Sequence, residues 1–223
     1  MHADGWIALI PVPFFALFSW RVHAVSRSGA IAGLVVGLML AFGLGWAGFA
    51  ILLTMVGLGT ITSERSGRQR DAWQVLCNGG VAAAFGVFGV GAAAAGALAA
   101  ALSDTASSEL GRRFGGRPRR LLFGAPMEPG PDGDQAMDGG MSWLGTIFGM
   151  VFAWPVPLVA WWLGALDAFA ATSAAAAAGM SGNLVDSILG ASLQAKLGPR
   201  GNDIVNAGAT LTGGVLGFLL ATV

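Results

Sequence analysis

Long apolar stretches recur along this chain, separated by short segments that hold nearly all of its charge. A membrane-spanning helix takes about 20 apolar residues, and fewer where helices pack tightly. By that measure spans fall at 5–20, 29–45, 46–62, 73–89, 91–103, 142–163, 168–189 and 204–222. Glycine-containing turns, GLGW at 43–46, GVG at 89–91 and LGALD at 163–167, join several of them and predict hairpins. The expectation is an all-α, polytopic membrane protein of about 7–8 transmembrane helices, one integral membrane domain over 1–223 with a basic, glycine-rich loop at 104–141. The first apolar stretch follows Asp4 rather than a basic region, so it reads as a span and not as a signal peptide.

Each hairpin returns the chain to the side it left, so the pattern also predicts which loops share a face. Loops 21–28, 63–72, 104–141 and 190–203 fall together, and they carry every basic residue: Arg21, Arg27, Arg65, Arg68, Arg70, Arg112, Arg113, Arg117, Arg119, Arg120, Lys196 and Arg200. The opposite face has the acids Asp4 and Asp167. Positive charge favours the cytoplasmic side, which places the four loops inside and both termini outside. An odd number of central spans would split the basic residues between faces, so eight spans fit better than seven.

Composition agrees: 55% of residues are hydrophobic, 11% are charged and the mean hydropathy is +0.69, against about 25% charged in a typical soluble domain. The formal net charge is +0, so placement of charge informs more than its sum, and no nucleic-acid partner is expected. A single cysteine, Cys77, excludes an internal disulfide and a multi-cysteine metal site. The 36 glycines, in stretches such as GLVVG, suit close helix packing. His2 and His23 read as solvated, and Trp6, Trp20, Trp46, Trp143, Trp161 and Trp162 fall near predicted span ends, as an interfacial belt would.

The polar residues in and beside the spans converge at one depth. Asp71, Gln74 and Asn78 share a helical face at one span's cytoplasmic start. Asp104, Ser108 and Gly111 share another where a span ends, with Thr105, Glu109 and Arg112 beside them. Asn183, Asp186, Ser187 and Gly190 form a third stripe, and Asn202, Asp203 and Asn206 a fourth. Helix capping explains such residues at helix starts, and Asp203 taken alone reads as well that way. It does not explain Asp186, which lies inside an apolar span, where a carboxylate costs about 2.5–3.5 kcal/mol and marks function. Asp104, Asp186 and Asp203 at one depth would repel without a cation between them, and hard oxygen donors of this kind suit Mg²⁺.

The basic loop fits the same chemistry. GRRFGGRPRR holds five arginines in ten residues and lies near DGGMSW, where Gly139 and Gly140 precede a span with Ser142 near its start. Arginine binds phosphate in a bidentate manner, and the N–H groups of a glycine-rich helix start bind anions. Arg112 and Arg113 read as phosphate contacts or as topology residues. Arg117, Arg119 and Arg120 fit contact with anionic lipid better.

Five ordered segments, GRQRDAWQVLCNGG, SDTASSELG, DGGMSWLGT, GNLVDSILGASLQ and NDIVN, resemble the integral membrane family, long labelled a domain of unknown function, that includes plant phytyl-phosphate kinase. The resemblance covers nearly the whole chain. DTASSELGRRFG is also similar to a signature of CTP-dependent dolichol and phytol kinases and of CDP-diacylglycerol synthases, and GNLVDSILGA to the paired-acid segment of the synthases. Two features differ: Ala106 follows DT where the family has a bulky residue, and EPGPDGDQAMDGG is longer than the family loop and lacks its threonine.

The resemblance implies a nucleotide and metal site at cytoplasmic helix ends. The expected activity is CTP- and Mg²⁺-dependent phosphoryl transfer to an isoprenoid monophosphate such as phytyl or geranylgeranyl phosphate, giving the diphosphate. Asp104, Asp186 and Asp203 would be the catalytic and metal-binding acids. Asn78, Thr105, Ser108, Glu109, Arg112, Arg113, Gly139, Gly140, Ser142, Asn183, Ser187, Asn202 and Asn206 would bind nucleotide and phosphate. A CDP-lipid-forming cytidylyltransferase and a transporter are the rival readings. Membrane lipids are further partners, and the oligomeric state stays open, a homo-oligomer included.

Overall fold

The computed structural model describes residues 6–63, 69–121, 124–127 and 138–222. Asp4, His2, Arg65, Arg68 and most of the loop segment EPGPDGDQAMDGG lie outside them. The described chain is mostly helical. A short 3-10 turn, Ile7–Leu9, leads into α1 (Pro11–Arg21), followed by α2 (Arg27–Thr62), α3 (Ala72–Val87) and α4 (Gly91–Phe114). After the loop come α5 (Trp143–Phe152), α6 (Pro155–Trp162), α7 (Phe169–Leu193), a 3-10 segment (Gln194–Arg200) and α8 (Gly201–Ala221).

Among the described residues three stretches are long and apolar enough to cross a membrane: Arg27–Thr62, Trp143–Trp162 and Phe169–Ala221. Each contains a break with a local cause. Gly45, at φ 60° and ψ −140°, takes a backbone conformation that a side chain would oppose. The chain doubles back there, so Gly37 packs toward Leu52 and Gly48 against the Leu40 carbonyl. The predicted span 142–163 is two helices, because Pro155 and Pro157 start a new helix after the non-helical link at 153–154. The third stretch changes direction at Gly198, φ 70°, ahead of Pro199.

The bundle is built around α4. Residues Ala93 to Ala95, Ala97 to Ala100, Leu102 and Ser103 are all at 0% exposure, and α2, α3, α5, α6, α7 and α8 pack around them. Small side chains fill the centre while large apolar ones, Phe14, Phe18, Ile31, Phe88, Trp162, Ile188 and Leu211 among them, face outward. That arrangement suits a lipid surround, where close backbone approach replaces the hydrophobic drive between helices. Gly96 is required where α4 meets α8: a Cβ there would overlap the Gly213 carbonyl. Trp6, Trp46, Trp143, Trp161 and Trp162 are exposed at or near helix ends, His23 is exposed and Cys77 is buried.

Two differences from the expected pattern bear on the site. α4 does not end at 103 but continues through Phe114, so the polar run from Asp104 to Arg113 is helical and has a fixed azimuth. The loop is not purely irregular either: Arg119–Arg120 pairs antiparallel with Gly140–Met141, a two-residue β contact inside an otherwise helical protein. The helix ends that carry charge meet at one end of the bundle. The Arg70 carbonyl accepts from Ser26 N–H ahead of α2, Arg200 binds Asp71 at the start of α3, and Gly111 on α4 packs on Gly145 of α5.

Candidate functional site

At that end α4, α7, α8 and α3 bring their polar stripes together. The Asp104 carboxyl on α4 and the Asp186 carboxyl on α7 face each other within hydrogen-bonding reach. Asn206 on α8 points its amide nitrogen at Asp186 Oδ1, 3.0 Å away, and lies 3.2 Å from the side-chain amide of Asn78 on α3. Ser108 Oγ donates to Asp104 Oδ1 at 3.5 Å, one turn further along α4. Four helices thus contribute to one continuous polar cluster. Two facing carboxylates are unfavourable unless a proton or a cation lies between them. An acid pair with amide and hydroxyl groups beside it fits Mg²⁺, which takes one or two carboxylates and fills its remaining positions with water and phosphate oxygens.

Asn183, one helical turn before Asp186 and its neighbours, is placed as a positioning residue. It is 3% exposed, and both ends of its amide are engaged. Nδ2 donates to Ser103 Oγ at 3.0 Å, and Oδ1 accepts from Ser107 Oγ at 3.2 Å. Ser103 in turn donates to the Gly149 carbonyl of α5 at 2.9 Å. The network fixes the rotation of α7 against α4, and with it the approach of Asp186 to Asp104. Asn183→Ala leaves the partner hydroxyls buried without their amide, so we expect a loss of about 1–2 kcal/mol in a detergent unfolding titration.

The cations beside the pair are already engaged. Arg112 reaches back to Glu109 at 2.7 Å, and Arg113 stacks over the Phe114 ring at 5.8 Å from its centroid. Glu109 also faces Arg70, whose pKa burial pushes down while the Glu109 charge raises it. Ser142 is a helix cap, accepting from Gly145 N–H at 3.0 Å, and is not among the groups at the acid pair. Gly139, φ 69°, packs on α7 against the Ser187 carbonyl and Ala191, and Gly140 takes part in the strand pairing. Ser187 donates back to the Asn183 carbonyl at 3.4 Å. Thr105 faces α2 and α3 rather than α7, and Asn202 is exposed.

Asp203 departs from the expected metal triad. Depth and the stripe shared with Asn206 suggested three acids together, but Asp203 is engaged by a cation instead. Arg200 binds Asp203 at 3.0 Å and Asp71 at 2.8 Å, which ties the start of α8 to the start of α3. Among the described residues no group of three His, Cys, Asp or Glu could hold a metal ion. We therefore expect Asp203→Asn to lower turnover less than about tenfold, the small end of what a partner outside the ligand set costs. Kinetics beside Asp104→Asn checks this.

Asp71 caps α3 by accepting from Gln74 N–H at 3.1 Å. That bond, followed by the one from Arg200, lowers its pKa below the usual carboxylate range. A folded pKa below the unfolded value gives stability that is present above the unfolded value, about 3.9, and lost as pH falls through the folded one. Thermal melts of the wild type and Asp71→Asn should therefore differ at neutral pH and converge in acid.

Three contributors escape the hydropathy pattern: Ser103 and Ser107, which hold Asn183, and Arg70, which reaches into the bundle from a loop. The 103/107 spacing at i and i+4 put both serines on one face and was the available signal for them. Arg70 had none beyond its place next to Asp71.

A family profile described as "Integral membrane protein DUF92" matches residues 10–215. A curated relative, "Uncharacterized membrane protein MJ0933" from Methanocaldococcus jannaschii, is 28% identical over 231 residues, covering 96% of this chain and 93% of the relative. No solved structure matches the chain.

Proposed function

The chain belongs to the DUF92 family of integral membrane proteins, and from that premise we propose that it transfers the γ-phosphoryl group of a nucleoside triphosphate, CTP by resemblance, to an isoprenoid monophosphate in the membrane. The observation that carries this reading is the facing pair Asp104 and Asp186, with polar groups from four helices gathered around it. In the proposed topology the helical segments form seven to eight spans arranged as hairpins, with this end cytoplasmic and both termini opposite.

The chemistry asks little covalent help of the protein. A phosphate oxygen of the acceptor attacks the γ-phosphorus, the new P–O bond forms, and the bond to the β-phosphate oxygen breaks with its electron pair leaving on CDP. The acceptor is already an anion, so no strong base is needed; in-line placement and charge neutralisation do the work. Bound Mg²⁺ supplies that neutralisation at the phosphates. Asp104 and Asp186 would hold it, with Asn206 orienting Asp186 and Ser108 orienting Asp104. Arg112 and Arg70 exchange part of their pairing with Glu109 for phosphate oxygens.

Incubating the purified protein in detergent with Mg²⁺, CTP and geranylgeranyl monophosphate tests the reading. Geranylgeranyl diphosphate that forms with Mg²⁺ and disappears with a chelator supports it. A nucleotide-linked lipid with release of pyrophosphate replaces it with a cytidylyltransferase.

A further inference from the structure

A separate cavity lies between α1, both halves of α2, α3 and α4. Its long wall is apolar, formed by Phe15, Val36, Leu52, Met55 and Val56. One end is polar: Arg70, Gln74, Asn78 and Thr105. The gap is not enforced by crowding. A Cβ built at Gly33, in the same wall, would meet nothing within 4 Å, although neighbouring positions of this bundle are tightly filled. Interiors rarely leave such space empty, because each unfilled wall forfeits its dispersion contacts.

The polar end adjoins the acid pair. Asn78 lines the cavity and also lies 3.2 Å from Asn206, whose amide contacts Asp186. Thr105 lines the cavity one residue after Asp104. Arg70 reaches this end with its guanidinium on Ser63 Oγ at 3.3 Å. The cavity is therefore mostly apolar, and its polar lining includes a cation and immediate neighbours of the carboxylates.

We propose that this cavity holds a single prenyl chain, with its phosphate at Arg70, Gln74, Asn78 and Thr105, and that it is the acceptor site of the transferase. The assignment rests on the reading of the acid pair as a phosphoryl-transfer site. An apolar wall that leads to a cation, two amides and a hydroxyl matches one prenyl tail headed by a phosphate. Glycine at position 33 is then a specificity determinant: it leaves room for the tail.

The test is equilibrium binding of tritiated geranylgeranyl monophosphate to the detergent-purified protein, without nucleotide. Gly33→Phe fills the cavity, Gly80→Phe adds the same bulk at another open position on α3 outside it, and Arg70→Gln removes the cation. Gly33→Phe should weaken binding at least about tenfold, with Gly80→Phe close to wild type. Arg70→Gln should reduce the preference for the phosphate over geranylgeraniol. Binding that is unchanged in Gly33→Phe, equal for phosphate and alcohol in the wild type, or displaced as well by a two-chain phosphatidic acid overturns the assignment. The two readings fail separately. Binding that depends on Gly33, with no transfer from any nucleotide, keeps the cavity and removes the transferase; transfer with Gly33→Phe as active and as tightly bound as wild type does the reverse.

Discussion

Asp186→Asn should abolish transfer, by about a hundredfold or more, while leaving the protein folded. The two halves of that expectation have one cause. Asp186 faces Asp104 inside the helix bundle, with the Asn206 amide on its Oδ1. Removing one of two facing charges relieves repulsion in the resting protein, so thermal stability in detergent without Mg²⁺ should hold or rise. In the proposed reading the same change removes one of the two acids that would hold Mg²⁺. Mg²⁺ should therefore raise the melting temperature of the wild type and not of Asp186→Asn. Stability gained together with activity lost is the signature of a site strained for function. A structural acid would give the opposite result, with stability and activity falling together.

The second large effect concerns the fold. Gly96→Leu should prevent assembly of the bundle, at a cost beyond about 4 kcal/mol. Gly96 sits on the central helix α4 where it meets Gly213 and Gly217 of α8, and any Cβ would strike the Gly213 carbonyl. Backbone cannot give way as a flexible side chain can, so the two helices must separate. That separation would also pull Asn206 on α8 from Asp186 on α7. Gly80→Leu is the control, because nothing lies within 4 Å of a Cβ at that position. The fraction recovered as a monodisperse species in detergent reads out both; equal recovery would mean that α4 and α8 do not pack as described.

Hydropathy marked where helices run, because turn glycines and prolines punctuate the apolar stretches. It did not mark where helices break inside such a stretch, since Trp154 and the prolines after it are as compatible with a continuous apolar segment as with a corner. The acid pair was legible from helical faces: Asp104 with Ser108 and Asp186 with Asn183 are stripes, and Asp104 faces Asp186 in the fold while Asn183 binds Ser103 and Ser107 of α4. Asp203 was placed by depth and by its stripe with Asn206, and neither says which partner the carboxylate takes. Arg200, three residues earlier, supplies the nearer partner. Ser142 illustrates the same limit, since a serine at a glycine-rich helix start serves equally as an anion contact or a cap, and here it caps α5. The cavity was not legible at all, because it forms where the side chains of four helices leave space between them, which hydropathy does not record.

The central claim is tested most directly by following both ends of the nucleotide at once. CTP labelled with ³³P at the α-position and ³²P at the γ-position would be incubated with Mg²⁺, geranylgeranyl monophosphate and the purified protein, and the lipid then extracted. The account predicts ³²P in geranylgeranyl diphosphate and ³³P left in CDP, with neither in lipid for Asp186→Asn. ³³P in the lipid, or no label in lipid from the wild type with CTP, ATP, GTP or UTP, would contradict it.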